Sequence, residues 1–183
     1  MANRMQFQNI YDEFRTLELN KEYYGERAQS AKRKLLAMDV ILALAGSGSA
    51  LASFKWWATE LGGVVIGPYL LAFGVLVAVV LGVVRPYLKL EDEHARLASM
   101  QGSYSAISHV MKDVVNDIKT KQDVSEASEA VYNSLRQVRG SLSSKEDSPE
   151  NRKLIKKKEA QVNQRYPTSF FYYPEEEKGN TNS

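Results

Sequence analysis

Cysteine is absent from the 183 residues, and His94 and His109 are the only histidines. The first absence excludes a disulfide framework, a thiolate metal site and a cysteine nucleophile, and it suits a reducing compartment. The second leaves little for metal or acid–base chemistry, because neither histidine stands in HExxH or another ligand spacing. There is no Walker loop, dinucleotide fingerprint or GxSxG elbow, and no Arg followed four to six residues later by His in the manner of an HEPN ribonuclease. Neither an enzyme nor a metal or cofactor site is therefore expected. An excess of one charge is also lacking: 24 Lys and Arg face 22 Asp and Glu, for a net +2, so bulk charge points to no partner. Residues 1 to 34 are polar and carry no small-residue cleavage pattern, so no secretory signal is expected and the apolar segments that follow should be retained.

What the chain does have is a greasy middle, Leu35 to Val84, between arms rich in Lys, Arg, Glu and Gln. Met38 to Trp57 reads MDVILALAGSGSALASFKWW, and about twenty residues at ~1.5 Å each cross a ~30 Å hydrocarbon core. Its single lysine, Lys55, sits beside Trp56 and Trp57, where a long side chain reaches the headgroups and indoles favour the interface. Val64 to Val84 reads VVIGPYLLAFGVLVAVVLGVV, without a charge, and a soluble chain of this size could scarcely surround such a helix with apolar partners. Gly62, Gly63, Gly67 and Pro68 allow its regular part to start as late as Pro68. Lys21, Arg27, Lys32, Arg33 and Lys34 precede the first span and Arg85, Lys89 and Arg96 follow the second, while the loop offers only Lys55. Both termini are thus expected on the cytoplasmic side.

The arms read as helices. Phe7, Ile10, Phe14 and Leu17 recur at spacings of three and four, and GERAQSAKRKLL then runs toward the membrane without a strong stop. Downstream, Leu90, Leu97, Met100, Tyr104, Ile107, Met111, Val114 and Ile118 keep a coiled-coil-like period, with Glu93 in one apolar slot. A second stripe, Val124, Ala127, Val131, Leu135, Val138 and Leu142, follows a break where Asp123 and Glu126 have capping-box spacing. A third helix is expected from Ser148 as N-cap, with Pro149 at N1, until Pro167 stops it. The expected fold is an all-α membrane protein: an amphipathic helix over 1–37, a transmembrane hairpin over 38–84 with spans 38–57 and 64–84, a cytoplasmic helical bundle over 85–165, and an aromatic then acidic tail over 166–183.

Three groups of residues are candidates for function. Asp39, Gly46, Ser49 and Ser53 share one helical face; in a ring of subunits they could line an aqueous path, with Asp39 at a cation-favouring mouth. The bland alternatives are close helix packing by small residues and an Asp39 paired at headgroup level with Lys34 or a neighbour's arginine. On the second span Gly74, Ala78 and Gly82 recur every four residues, as helix packing favours. Finally, Arg152, Lys153, Lys156, Lys157, Lys158 and Arg165 precede Tyr166 and the aromatic run Phe170 to Tyr173. Such a set could hold a nucleotide or oligonucleotide, or the lysines form a solvated or lipid-facing helix side while the rings dock the tail on the bundle.

The order of YYGERAQSAKRK, two spans and the helical LEDEHARLASMQGSYSAI resembles the bacterial SLATT (SMODS- and SLOG-associating) group of two-transmembrane effectors, over roughly residues 20 to 140. The resemblance implies a homo-oligomeric pore in the inner membrane, acting in antiphage defence beside an enzyme that makes a nucleotide signal. It transfers no individual site residue. A structural anchor that recruits a cytosolic partner and a holin-like toxin are the competing expectations.

Overall fold

The structure, a computed structural model, describes residues 4–46, 60–61, 64–65, 67–145 and 151–174. Ser49, Ser53, Lys55, Trp56, Trp57, Ser148, Pro149 and the acidic end of the tail lie outside the described residues. The described chain is helical apart from one pair of two-residue strands. Its elements are α1 (Arg4–Gly46), β1 (Glu60–Leu61), β2 (Val64–Val65), α2 (Gly67–Val84), a 3-10 turn (Arg85–Leu88), α3 (Leu90–Lys121), α4 (Glu126–Ser143), α5 (Arg152–Arg165) and a second 3-10 turn (Thr168–Phe170). They fall into two compact units, Met1–Glu26 with Leu97–Ser183, and Arg27–Arg96. The start of α1 shares the first unit with the C-terminal helices.

The first unit is a helical bundle built on the three-and-four stripes. Phe7, Ile10, Phe14 and Leu17 of α1 are buried, as are Leu97, Met100, Tyr104, Ile107, Met111, Val114 and Ile118 of α3. Sequestering apolar area on this scale is the main favourable term in the bundle's folding. Tyr24 stacks on Tyr104 with centroids 5.6 Å apart and planes 2° from parallel. One residue on, a Cβ at Gly25 would come within 3.0 Å of the Gln101 side chain, so glycine lets α1 and α3 approach closely there. α3 ends with Gln122 in the left-handed region (φ 56°), its N–H donating to Ile118 O at 2.8 Å. This is the geometry of a helix stop usually given to glycine.

Three expected details are corrected in α4 and α5. Ser125, not Asp123, caps α4 by accepting from the Ser128 N–H. The buried face of α4 runs through Ser128, Tyr132, Leu135 and Leu142, while Ala127 and Val138 are exposed. Ser128 takes an inner position because its hydroxyl donates to Asp117 at 2.8 Å, which satisfies a buried polar group. α5 is capped by Asn151, whose side chain accepts from Leu154 N–H, in place of Ser148. It ends at Arg165, two residues ahead of Pro167, as the residue before a proline avoids the helical region.

The second unit holds the end of α1, the strand pair and α2. The strands pair antiparallel, Glu60 with Val65 and Leu61 with Val64, so residues 64 and 65 belong to the reversal and not to the second span. The helix begins at Gly67, with Pro68 in its first turn, where a missing N–H breaks no intrahelical bond. At the far end Pro86 lies in the first turn of the 3-10 segment, and Lys89 adopts φ 45° before α3 begins. Among the described residues no single helix is long and apolar enough to cross a bilayer; Ala72–Leu88 and Leu90–Lys121 meet that measure together but bend by 44° at their break.

Candidate functional site

The residues expected to carry function separate into the two units. In the second unit, Asp39 lies on α1 and pairs with Arg85, Oδ1 to Nη1 at 2.9 Å. Arg85 also reaches Glu91 through Nη2 at 2.9 Å, so one guanidinium bridges α1 and the first turn of α3. The planar fork of arginine suits two carboxylates at once. Within the chain the partner of Asp39 is Arg85 and not the Lys34 considered from the sequence. Arg27 and Glu93 add a looser pair at 3.5 Å. Gly46 is the last residue of α1, while Ser49 and Ser53 lie outside the described residues, so only Asp39 and Gly46 of the expected stripe are placed.

Gly74, Ala78 and Gly82 all lie on α2. A Cβ built at Gly74 or Gly82 meets no atom within 4 Å, so no helix packs closely on these two glycines among the described residues. Tyr69, Phe73, Leu76, Val79, Val80 and Val83 are exposed on the same helix. Leu36, Val40, Ile41 and Leu44 are exposed on the end of α1. Large apolar side chains left open in this number mark a surface that something apolar covers.

In the first unit, Arg152, Lys153, Lys156 and Lys157 form an exposed side of α5. Lys158 turns inward instead, 3.2 Å from Glu26 and 3.7 Å from Glu22. Arg165 pairs with Glu22 at 2.9 Å. Tyr166 is buried edge-on against Phe14, centroids 4.9 Å apart. Phe171 stacks on Tyr11 at 4.4 Å, and the Tyr11 hydroxyl donates to Tyr172 O at 2.7 Å. Burial, then the neighbouring Tyr173, pushes the Tyr11 phenol well above its ordinary pKa. The aromatic run is thus spent on closing the bundle, and Phe171 and Tyr166 offer no open ring face to a base.

Sequence reasoning missed the polar cluster inside the bundle. Glu18 is buried, accepts from the Lys21 ammonium at 2.6 Å and from the Ser108 hydroxyl, and has Tyr166 Oη at 3.5 Å. Burial opposes its ionisation, but Lys21, Ser108 and the charge of Arg165 outweigh that and hold the carboxyl below its usual range. Glu13 pairs with Arg139 at 2.6 Å, leaving its second oxygen without a partner among the described residues. Lys21 apart, these partners lie 90 or more residues from Glu18 or Glu13, and local periodicity carries no sign of them. Shallow cavities of about 340 and 280 Å³ flank α1 beside Asp12 and Thr16. No group of three or more His, Cys, Asp or Glu residues suited to a metal ion occurs among the described residues.

Comparison with protein-family models, with curated proteins and with solved structures gives no match.

Proposed function

We propose that the chain is a multi-pass protein of the bacterial inner membrane, with both termini cytoplasmic, whose hairpin assembles with further copies into an ion-conducting pore. The observation that carries this reading is α2, eighteen residues without a charge that display Phe73, Leu76, Val79, Val80 and Val83 outward. In water each such side chain would forgo roughly 1.5 to 3 kcal/mol of burial, whereas acyl chains accept them without loss. The open sides of Gly74 and Gly82 suit a helix from another copy. Two spans cannot by themselves enclose a water path with satisfied polar groups, so the reading needs a homo-oligomer.

On this reading the bundle is the regulated part and no catalysis is performed. Together with the resemblance to the SLATT group, it makes the chain an effector of antiphage defence, controlled by a nucleotide signal or a partner protein, and its action is depolarisation and growth arrest. The decisive experiment joins mass measurement of the detergent-purified chain to bilayer recording on the same sample. Discrete conductance from an oligomer is expected; a silent monomer overturns the proposal. A second reading, an anchor that recruits a cytosolic partner, is favoured by the Asp39–Arg85 pair, which neutralises the carboxylate that would attract cations at a pore mouth. It predicts no change in membrane potential on expression.

A further inference from the structure

Where α2 gives way to α3 the chain forms a recess of about 260 Å³. It is lined by the apolar Leu35, Pro86 and Leu90 together with two cations and two anions: Arg85, Lys89, Glu91 and Asp92. Arg85 is held between Asp39 and Glu91, which fixes its guanidinium at one side. Lys89 and Asp92 are exposed, and neither has an ion pair among the described residues. Lys89 is also kept in a left-handed backbone conformation, φ 45°, unusual for a residue with a side chain and costing on the order of 1 kcal/mol. Beside the recess Tyr87 and Leu88 are both exposed, and tyrosine with its apolar body and polar tip prefers the headgroup level of a membrane.

We infer that this recess binds the phosphoethanolamine headgroup of a membrane phospholipid. The inference rests on the membrane reading above, in which the polar end of α2 lies at the depth of the headgroups. A lining of balanced charge matches a zwitterion better than an anion. The phosphodiester accepts hydrogen bonds from Lys89 and Arg85, and the primary ammonium donates to Asp92 and Glu91. Leu35, Pro86 and Leu90 lie against the glycerol end. A choline headgroup carries the same charges but has no N–H to donate, and a phosphoglycerol headgroup has no cation for the carboxylates. The recess therefore tells the three apart by chemistry and not by net charge.

The test is native mass spectrometry of the full chain released from detergent micelles after addition of dioleoyl phosphatidylethanolamine, phosphatidylcholine or phosphatidylglycerol. Retention of the ethanolamine lipid is expected to exceed the other two by roughly tenfold, the ratio given by one good charge-assisted contact. Lys89→Gln and Asp92→Asn should each remove most of that preference with helicity unchanged by circular dichroism. Lys32→Gln, on the exposed basic side of α1 outside the recess, should leave it intact. Equal retention of all three lipids, preference for phosphatidylglycerol, or equal loss in Lys32→Gln overturns the inference, and the lipid comparison on the unaltered chain decides it even if a variant misfolds. Failure of the chain to enter vesicles of any composition removes the membrane reading itself. Entry into all of them without headgroup preference removes only this site.

Discussion

The unit Met1–Glu26 with Leu97–Ser183 and the unit Arg27–Arg96 treat large apolar side chains in opposite ways. In the first, Phe7, Phe14, Tyr104 and Met111 are buried, and the polar groups that join them inside, Glu18 and Ser108, are hydrogen-bonded. In the second, Leu36, Phe73, Leu76 and Val83 are open, and an arginine is held between two carboxylates. The bundle draws its stability from water's exclusion of apolar surface. The second unit leaves these large apolar side chains uncovered among the described residues, although its Ala28 and Ala31 are buried.

Substitutions sharpen that contrast. Phe14→Ala removes a ring packed on Tyr166 and Phe171 and should lower bundle stability by about 3 to 5 kcal/mol, read by thermal unfolding followed by circular dichroism. Phe73→Ala should leave the same transition where it was; an equal drop would erase the distinction between the units. Next in size, Glu18→Ala strands the Lys21 ammonium and the Ser108 hydroxyl and should cost about 3 kcal/mol. Because the Glu18 carboxyl is held below its ordinary range, its contribution is complete above the unfolded-state value and is lost as pH falls through the folded-state value. Acid titration of stability should thus show a component that Glu18→Gln abolishes, and an unchanged profile would assign the acid sensitivity elsewhere. The smallest effect is a gain: Gln122→Gly, at φ 56°, should raise the unfolding midpoint by an amount equivalent to roughly 1 kcal/mol.

Legibility in the sequence followed how local each determinant is. The stripes of α1 and α3 were readable because helical spacing alone puts Phe7, Ile10 and Phe14, or Leu97, Tyr104 and Met111, on one side. The register of α4 was not, since a serine at 128 looks solvent-facing until Asp117 is brought beside it by the turn. Lys158 reads as one more member of a basic run, and only the approach of Glu22 and Glu26 turns it inward. Arg85 was visible as a charge flanking a span but not as the partner of Asp39, because the two are joined by the fold and not by spacing. The aromatic run after Pro167 was legible as a tail that docks, and its rings do lie on α1.

That docking sets an order for synthesis. Tyr11 meets Tyr172 across 161 positions of chain, so the ribosome delivers both greasy segments long before the rings that close over Phe7, Tyr11 and Phe14 exist. Until Phe171 and Tyr172 emerge, the nascent α1 carries an uncovered aromatic strip, a natural handle for a chaperone and a reason for quality control to destroy any product released early.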